Sequence, residues 1–264
     1  MTTRTFTTGD GTTILADIND SLRIVNAGPP VIALPPLKPG PIGVAMLFVP
    51  RAVSLVEQVP MLVYYHGHHG PSSIEGYVNQ MPERDFRPSL AGSKVFLVEP
   101  QGGPLSKFGD LGTPAGLSSL IDGAMWNALV NGQPPRPSPI PTPKPPSLIV
   151  AAFSGGGDAL NAVVFGARAD YVNLISEVWC FDSMYSGEGA QWVQWARKPE
   201  NAKKTLRVRV STEVDNAGGS PAAQLKIIQE AVKGRPAANI DVAKAVDSTH
   251  EGLPGKFIAQ WLKP

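Results

Sequence analysis

Ser154 stands between an apolar run and a run of glycines, a setting that suits nucleophilic chemistry. Residues 147–152 predict a buried strand, and the glycines at 155–157 lead at once into a segment that predicts a helix. A sharp turn from a strand into a helix exposes its serine, and it requires small residues two positions before and after that serine. Here these residues are Ala152 and Gly156. The next backbone N–H and the positive end of the helix would both face a developing oxyanion. The pattern therefore indicates a nucleophilic serine.

Two other interpretations of this turn stay open. A glycine-rich turn between a strand and a helix can also cradle a phosphate. The motif G-x-G-x-x-G is absent here, however, and no lysine follows as a P-loop requires. The turn can also be purely structural. We favour the nucleophile.

Three of the four histidines lie together in the run His66-Gly67-His68-His69. Such a cluster could bind a metal ion, because neutral imidazole is a common metal ligand. The pattern departs from the metallohydrolase motif H-x-H-x-D-H, since the next residues are Gly-Pro-Ser without an aspartate. A metal-dependent hydrolase built on His66, His68 and His69 is therefore the less favoured alternative.

The fourth histidine, His250, follows the last predicted strand and precedes the last predicted helix. As a general base for Ser154 it would need a carboxylate to fix its tautomer and stabilise its imidazolium. Asp182 directly follows a strongly apolar strand, and Asp215 follows the next strand. We favour Asp182, because the residues after it form a polar, aromatic loop, and Asp215 remains the alternative.

Taken together, these motifs resemble the α/β-hydrolase superfamily, whose catalytic residues come in the order Ser, Asp, His. The resemblance runs from about residue 43 to the end of the chain, with the first glycine of G-x-S-x-G replaced by Ala152. It implies Ser154 as nucleophile, Asp182 as acid and His250 as base. It also implies an oxyanion hole formed by the N–H groups of Gly155 and His68, with His66 holding the loop.

The elements that must position these residues alternate between strand and helix. Several strand candidates are apolar without alternation, as in a parallel sheet covered on both faces. The predicted strands are 43–49, 61–65, 94–98, 147–152, 177–181, 205–210 and 239–246. The predicted helices are 72–81, 115–130, 157–169, 187–197, 220–233 and 251–262. This alternation predicts a doubly wound α/β fold, mostly parallel, with helices on both faces.

One domain is expected over residues 1–264, since no repeat or second domain is evident. Residues 1–42 are Thr-rich and alternate, which predicts antiparallel edge strands. Residues 133–146 are dominated by proline and predict a stiff extended loop, with a docking segment as the alternative. Residues 182–204, where this fold usually carries its lid, have room for one helix and little more.

Composition narrows the function further. The 264 residues carry a net charge of +1 with 17% charged residues, so nucleic acid is an unfavourable partner. The single cysteine, Cys180, lies in an apolar run and is expected to be buried. No apolar stretch is long enough for a membrane span, and no signal peptide is visible. We therefore expect a soluble, cytoplasmic protein, with secretion possible if a leader was removed; the oligomeric state stays open.

The expected function is hydrolysis of carboxylic esters through an acyl-enzyme, with no cofactor. A site without a large lid would be open, which suits a small-molecule or polymeric ester with a bulky acyl group. His69 and Tyr185 are expected to contact the substrate, and Tyr65 to lie near it. Trp192 and Trp195 could stack on a ring, although their helical spacing favours the core. Amide or peptide cleavage by the same residues is the alternative, and a non-catalytic scaffold is a weaker one.

Overall fold

A single ten-stranded sheet organises the chain. The computed structural model describes residues 2–7, 13–19, 22–27, 45–50, 60–68, 77, 81–84, 86, 90, 93–103, 105–118, 120–121, 145–166, 171–213 and 219–262. Its strands are β1 (Thr2–Thr7), β2 (Thr13–Asn19), β3 (Leu22–Ala27), β4 (Ala45–Pro50), β5 (Met61–Tyr65), β6 (Phe96–Pro100), β7 (Leu148–Phe153), β8 (Ile175–Phe181), β9 (Thr205–Ser211) and β10 (Ile240–Ala245).

The strand order is β1-β2-β3-β4-β6-β5-β7-β8-β9-β10. The last six strands of this order are parallel, and β1 to β4 are antiparallel to their neighbours. Every residue of β5, β6 and β7 is buried, which explains why these strands are apolar without alternation. The predicted doubly wound, mostly parallel sheet is confirmed.

Helices cover both faces of the sheet. We name them α1 (Gly157–Phe165), α2 (Glu188–Arg197), α3 (Pro221–Gly234) and α4 (Leu253–Trp261). The first three pack over one buried cluster, which takes every second residue of β5 and includes Trp192 at the centre of α2. The helix α4 packs over the other cluster with Tyr64 and Phe153. Each central strand thus contributes alternate side chains to two separate cores.

Some predicted boundaries were wrong. The predicted helix 157–169 ends at Phe165, because Gly166 closes it by donating its N–H to Ala162 O and then continues extended. Strand β6 begins two residues later than predicted. Residues 133–144 of the predicted Pro-rich loop lie outside the described residues. The single-domain organisation stays a prediction. Among the described residues, no helix is long and apolar enough to cross a membrane.

Candidate active site

The predicted serine, aspartate and histidine all follow strands of the parallel part of the sheet. Ser154 comes directly after β7, Asp182 directly after β8, and His250 in the turn after β10. Parallel strands end at the same edge of a sheet, and ligands of open α/β sheets bind along that edge. The fold therefore brings three residues that are far apart in sequence to one side of the molecule.

The turn at Ser154 is sharp and conformationally strained. Ser154 has a φ of +49°, in the left-handed region that serine rarely adopts, and the helix α1 begins three residues later. Side chains cannot be added to the turn: a Cβ at Gly156 would overlap the carbonyl oxygen of Tyr65, and one at Gly157 that of Ser183. The glycines thus let the turn pack directly against two neighbouring chain segments.

Asp182 and His250 form a hydrogen-bonded pair. The distance from His250 Nδ1 to Asp182 Oδ2 is 2.7 Å, and the Asp182 side chain is completely buried. Ser211 supplies two further donors to the same carboxylate, its N–H to Oδ1 at 2.9 Å and its hydroxyl to Oδ2 at 2.7 Å. A carboxylate in this position holds the Nδ1 proton, so that Nε2 is the nitrogen available to accept another.

Three further contacts hold the histidine in place. The N–H of His250 donates to Glu213 Oε2 at 2.6 Å. Its neighbour Glu251 accepts from Arg84 Nε at 3.1 Å and Nη2 at 2.9 Å, and Arg84 is buried. The imidazole lies against the ring of Phe153, with centroids 4.5 Å apart. Phe153 precedes Ser154, so this contact places the imidazole next to the serine turn.

The turn after β5 also contacts the serine. A Cβ at Gly67 would lie 3.0 Å from the Ser154 Cβ, so the backbone of this turn passes close to the serine. His66 fixes the turn: its Nε2 accepts from the Gly102 N–H at 2.8 Å, and Nδ1 lies 2.8 Å from Gly67 O. Because Nε2 accepts, the proton belongs on Nδ1. His68 is exposed, and its imidazole lies over Gly155.

Tyr185 lies between the serine and the aspartate. Its hydroxyl donates to the backbone oxygen of Asp182 at 3.1 Å and is also hydrogen-bonded with the Ser154 side chain. Burial raises the pKa of the Tyr185 phenol, and the hydrogen bond with Ser154 opposes this shift. Glu188 anchors the loop by accepting the Tyr185 N–H at 2.7 Å, and burial raises the pKa of Glu188.

The fold of the chain is similar to that of two solved structures. A serine-to-alanine variant of the feruloyl esterase module from Clostridium thermocellum, complexed with sinapinate, aligns with 93% of this chain and 88% of its own. The TM-score is 0.56 and the sequence identity 12%. A structure of FAE also aligns with 93% of this chain and 88% of its own, with a TM-score of 0.53 and 14% identity. The chain has the α/β-hydrolase fold.

The resemblance deduced from the sequence is therefore confirmed at the level of the fold. No protein-family model matches the sequence, and no curated protein matches it. At 12–14% identity the likeness concerns the fold alone and assigns no activity. The activity of an α/β-hydrolase fold depends on the residues that it brings together.

Several predicted residues lie elsewhere or outside the described part of the chain. His69 and Asp215 are not among the described residues. Tyr65 was wrongly expected near the substrate: it is completely buried, and its hydroxyl donates to a backbone oxygen in the core. Trp192 and Trp195 are also core residues, packed edge to face at 5.5 Å, as their spacing favoured. They offer no platform for a substrate ring.

In the described part of the chain, which includes His66 and His68 but not His69, the geometry gives no support to the alternative of a metal site. Both ring nitrogens of His66 are engaged with backbone groups, which leaves no lone pair for a metal ion. Among the residues that the structure describes, no group of three or more His, Cys, Asp or Glu is arranged to hold one.

Sequence reasoning missed the residues that support this site. Ser211 and Glu213 hydrogen-bond with Asp182 and His250 respectively, and Arg84 pairs with Glu251, the residue that follows His250 in the chain. Ser211 and Glu213 could have been suspected, because Ser211 ends the neighbouring strand β9 and Glu213 follows two residues later. The pairing of Arg84 with Glu251 carries no sequence signal, since 167 positions separate the two residues.

Proposed function

We propose that this chain is a serine hydrolase that cleaves carboxylic esters through an acyl-enzyme. Ser154 is the nucleophile, His250 the general base and Asp182 the acid that orients it. The observation that carries the proposal is the 2.7 Å pair of His250 and Asp182, beside a serine held in the left-handed region. Backbone strain and a buried carboxylate–histidine pair are both energetically unfavourable, and both are typical of catalytic sites.

In the first half-reaction, Ser154 Oγ attacks the ester carbonyl carbon while its proton passes to His250 Nε2. The carbonyl π electrons move to oxygen, which becomes a tetrahedral oxyanion. The resulting imidazolium is stabilised by Asp182, whose Oδ2 accepts from Nδ1 at 2.7 Å. Collapse of the intermediate breaks the bond to the alcohol oxygen, which leaves with the proton from Nε2.

In the second half-reaction, water takes the place of the serine hydroxyl. His250 Nε2 removes a proton from the water as the water oxygen attacks the acyl carbonyl carbon. The intermediate then collapses: the bond to Ser154 Oγ breaks, Oγ takes the proton from Nε2, and the acid is released. The N–H groups of Gly155 and His68 donate to the oxyanion in both steps. The positive end of α1, which begins at Gly157, favours the same charge. Every proton transfer thus uses one imidazole held by one carboxylate.

Two features support an ester as the substrate. The similar C. thermocellum module is a feruloyl esterase, which makes esters the first class to test. One α-helix, α2, lies between β8 and β9, where this fold usually carries its lid. A short insertion leaves room for a bulky or polymeric acyl group, with Tyr185 and His69 as the residues proposed to contact it.

The deciding experiment is covalent labelling with a fluorophosphonate. We expect one adduct, located on Ser154 by peptide mass spectrometry, and no adduct in Ser154→Ala. A matched control, Ser118→Ala, removes a helical serine whose hydroxyl donates to Pro114 O, and should label like the wild type. A folded wild-type protein that stays unlabelled would refute the activated serine.

A second experiment tests whether the substrate is an ester or an amide, and whether the activity depends on a metal ion. We expect turnover of p-nitrophenyl esters of increasing acyl length, with much slower turnover of the matching p-nitroanilides. A chelator should leave these rates unchanged. Preferential turnover of the anilides would assign the same residues to amide cleavage, and loss of activity with the chelator would favour a metal-dependent hydrolase.

A further inference from the structure

Ser106 combines three unfavourable features in one residue. Its φ of +53° lies in the left-handed region, and it is 2% exposed. Its hydroxyl is buried and has no hydrogen-bond partner among the described residues. A tight turn imposes this conformation: the Ser106 N–H donates to Gly103 O at 2.8 Å, and the Gly103 N–H donates to Lys107 O at 2.9 Å. Glycine would avoid both the strain and the buried hydroxyl.

The unpartnered hydroxyl lies beside the residue that follows the nucleophile. A Cβ built on Gly155 would lie 3.0 Å from Ser106 Oγ, and the His68 imidazole approaches the same point. The Ser106 hydroxyl therefore lies near Gly155, whose N–H is proposed to meet the oxyanion. A hydroxyl rotates freely about its C–O bond, so it can donate to an acceptor that arrives there.

From these observations we propose that Ser106 donates a hydrogen bond to the oxyanion, as a third donor beside Gly155 and His68. The proposal rests on the proposed function, because the acceptor forms only when Ser154 attacks a carbonyl. No proton is transferred: the Ser106 O–H stays intact, and its hydrogen bond forms as charge develops on the substrate oxygen. A donor that is unpaired in the resting site favours the transition state selectively.

The test compares Ser106→Ala and Ser106→Gly with the wild type. A single oxyanion donor commonly contributes about 100-fold or more to kcat, and we expect a loss of about 10- to 100-fold for a rotatable hydroxyl. KM should change by less than about twofold, because the bond is absent from the ground state. Ser106→Gly also relieves the backbone strain, so it should fold at least as stably as the wild type while losing the same activity.

A matched control is Ser186→Ala. Ser186 is also a serine in the left-handed region, with a φ of +39°, but it is exposed. We expect wild-type kinetics from this variant, which separates the role of the Ser106 hydroxyl from a general effect of strained serines.

Two further measurements distinguish a hydrogen bond to the oxyanion from a purely structural role of Ser106. Phenylboronic acid forms a tetrahedral adduct with a serine, and its affinity should fall by the same factor as kcat. The loss should also be equal for p-nitrophenyl and ethyl esters, because the oxyanion is common to both. A loss confined to the ethyl ester would overturn the proposal in favour of a contact with the leaving group.

The remaining outcomes are also decisive. Ser106 variants with wild-type kcat, in a protein whose Ser154 still reacts with a fluorophosphonate, would overturn this proposal and leave the proposed function intact. A parallel loss of kcat and thermal stability in both variants would assign Ser106 a structural role. A wild-type protein without any Ser154 adduct would overturn both proposals.

Discussion

Replacing Asp182 by asparagine should reverse the tautomer of His250. Asp182 Oδ1 accepts from the Ser211 N–H, which can only donate, so this position must keep an oxygen. The amide nitrogen of an asparagine would then take the place of Oδ2 and point its hydrogens at Ser211 Oγ and His250 Nδ1. To accept that hydrogen bond, the imidazole must move its proton to Nε2, where it can no longer accept the proton of Ser154.

The expected loss is about 10⁴-fold in kcat, as for other triads whose histidine is held in the wrong tautomer. At about 1.36 kcal/mol per decade this corresponds to about 5.4 kcal/mol of transition-state stabilisation. Stability should change little, because the asparagine retains the bond from the Ser211 N–H and Ser211 Oγ can accept from the new amide.

The assay is the initial rate with p-nitrophenyl butyrate, together with the rate of fluorophosphonate labelling and a thermal unfolding curve. Asp215→Asn is the matched control, since Asp215 was the other candidate acid and the substitution is identical. We expect this control to change kcat by less than about threefold. Near-wild-type activity in a folded Asp182→Asn protein would refute the tautomer argument, and a large loss confined to Asp215→Asn would reassign the acid.

Three other predictions concern the packing around the site. In urea titrations, Gly156→Ala should lower the free energy of unfolding by about 3 kcal/mol or more, because the new Cβ overlaps Tyr65 O. In the control Gly234→Ala, the new Cβ meets nothing within 4 Å, so the free energy of unfolding should change by less than about 1 kcal/mol. Burial raises the pKa of Cys180, the only thiol, so it should react with a disulfide reagent only as fast as the protein unfolds, and rapid native labelling would contradict its burial. Tyr185→Phe removes one hydroxyl from beside Ser154 and should lower kcat/KM by no more than about tenfold, while labelling of the serine persists.

The fold could be predicted from the sequence where burial leaves a strong pattern. Strand β5 was predicted with its observed bounds, because a strand covered on both faces must be apolar throughout. Strand order carries no such pattern: β6 lies between β4 and β5, although β5 comes first in the chain. That order depends on how the helices pack against the finished sheet, which short-range periodicity does not report.

The site was predictable where backbone geometry restricts the residue type. The turn at Ser154 needs glycine at 156, so its signal is local and visible in the sequence. The hydrogen bonds that Ser211 and Glu213 make are long-range and tolerate many alternative donors and acceptors, so the sequence marks only their position at the end of β9 and not these contacts. Ser106 is a stronger example, because an isolated serine in a loop shows neither its burial nor its strain.

The position of β10 has a consequence for how the protein gains activity during refolding or on the ribosome. This strand pairs in parallel with β9 at the end of the sheet, and His250 follows it. Ser154 and Asp182 can therefore be in place while the base is still missing. Non-local parallel pairing is slow to form, so the serine should stay unreactive until the last strand has docked. In a refolding time course, the time at which Ser154 begins to react with a fluorophosphonate would then give the time at which β10 docks.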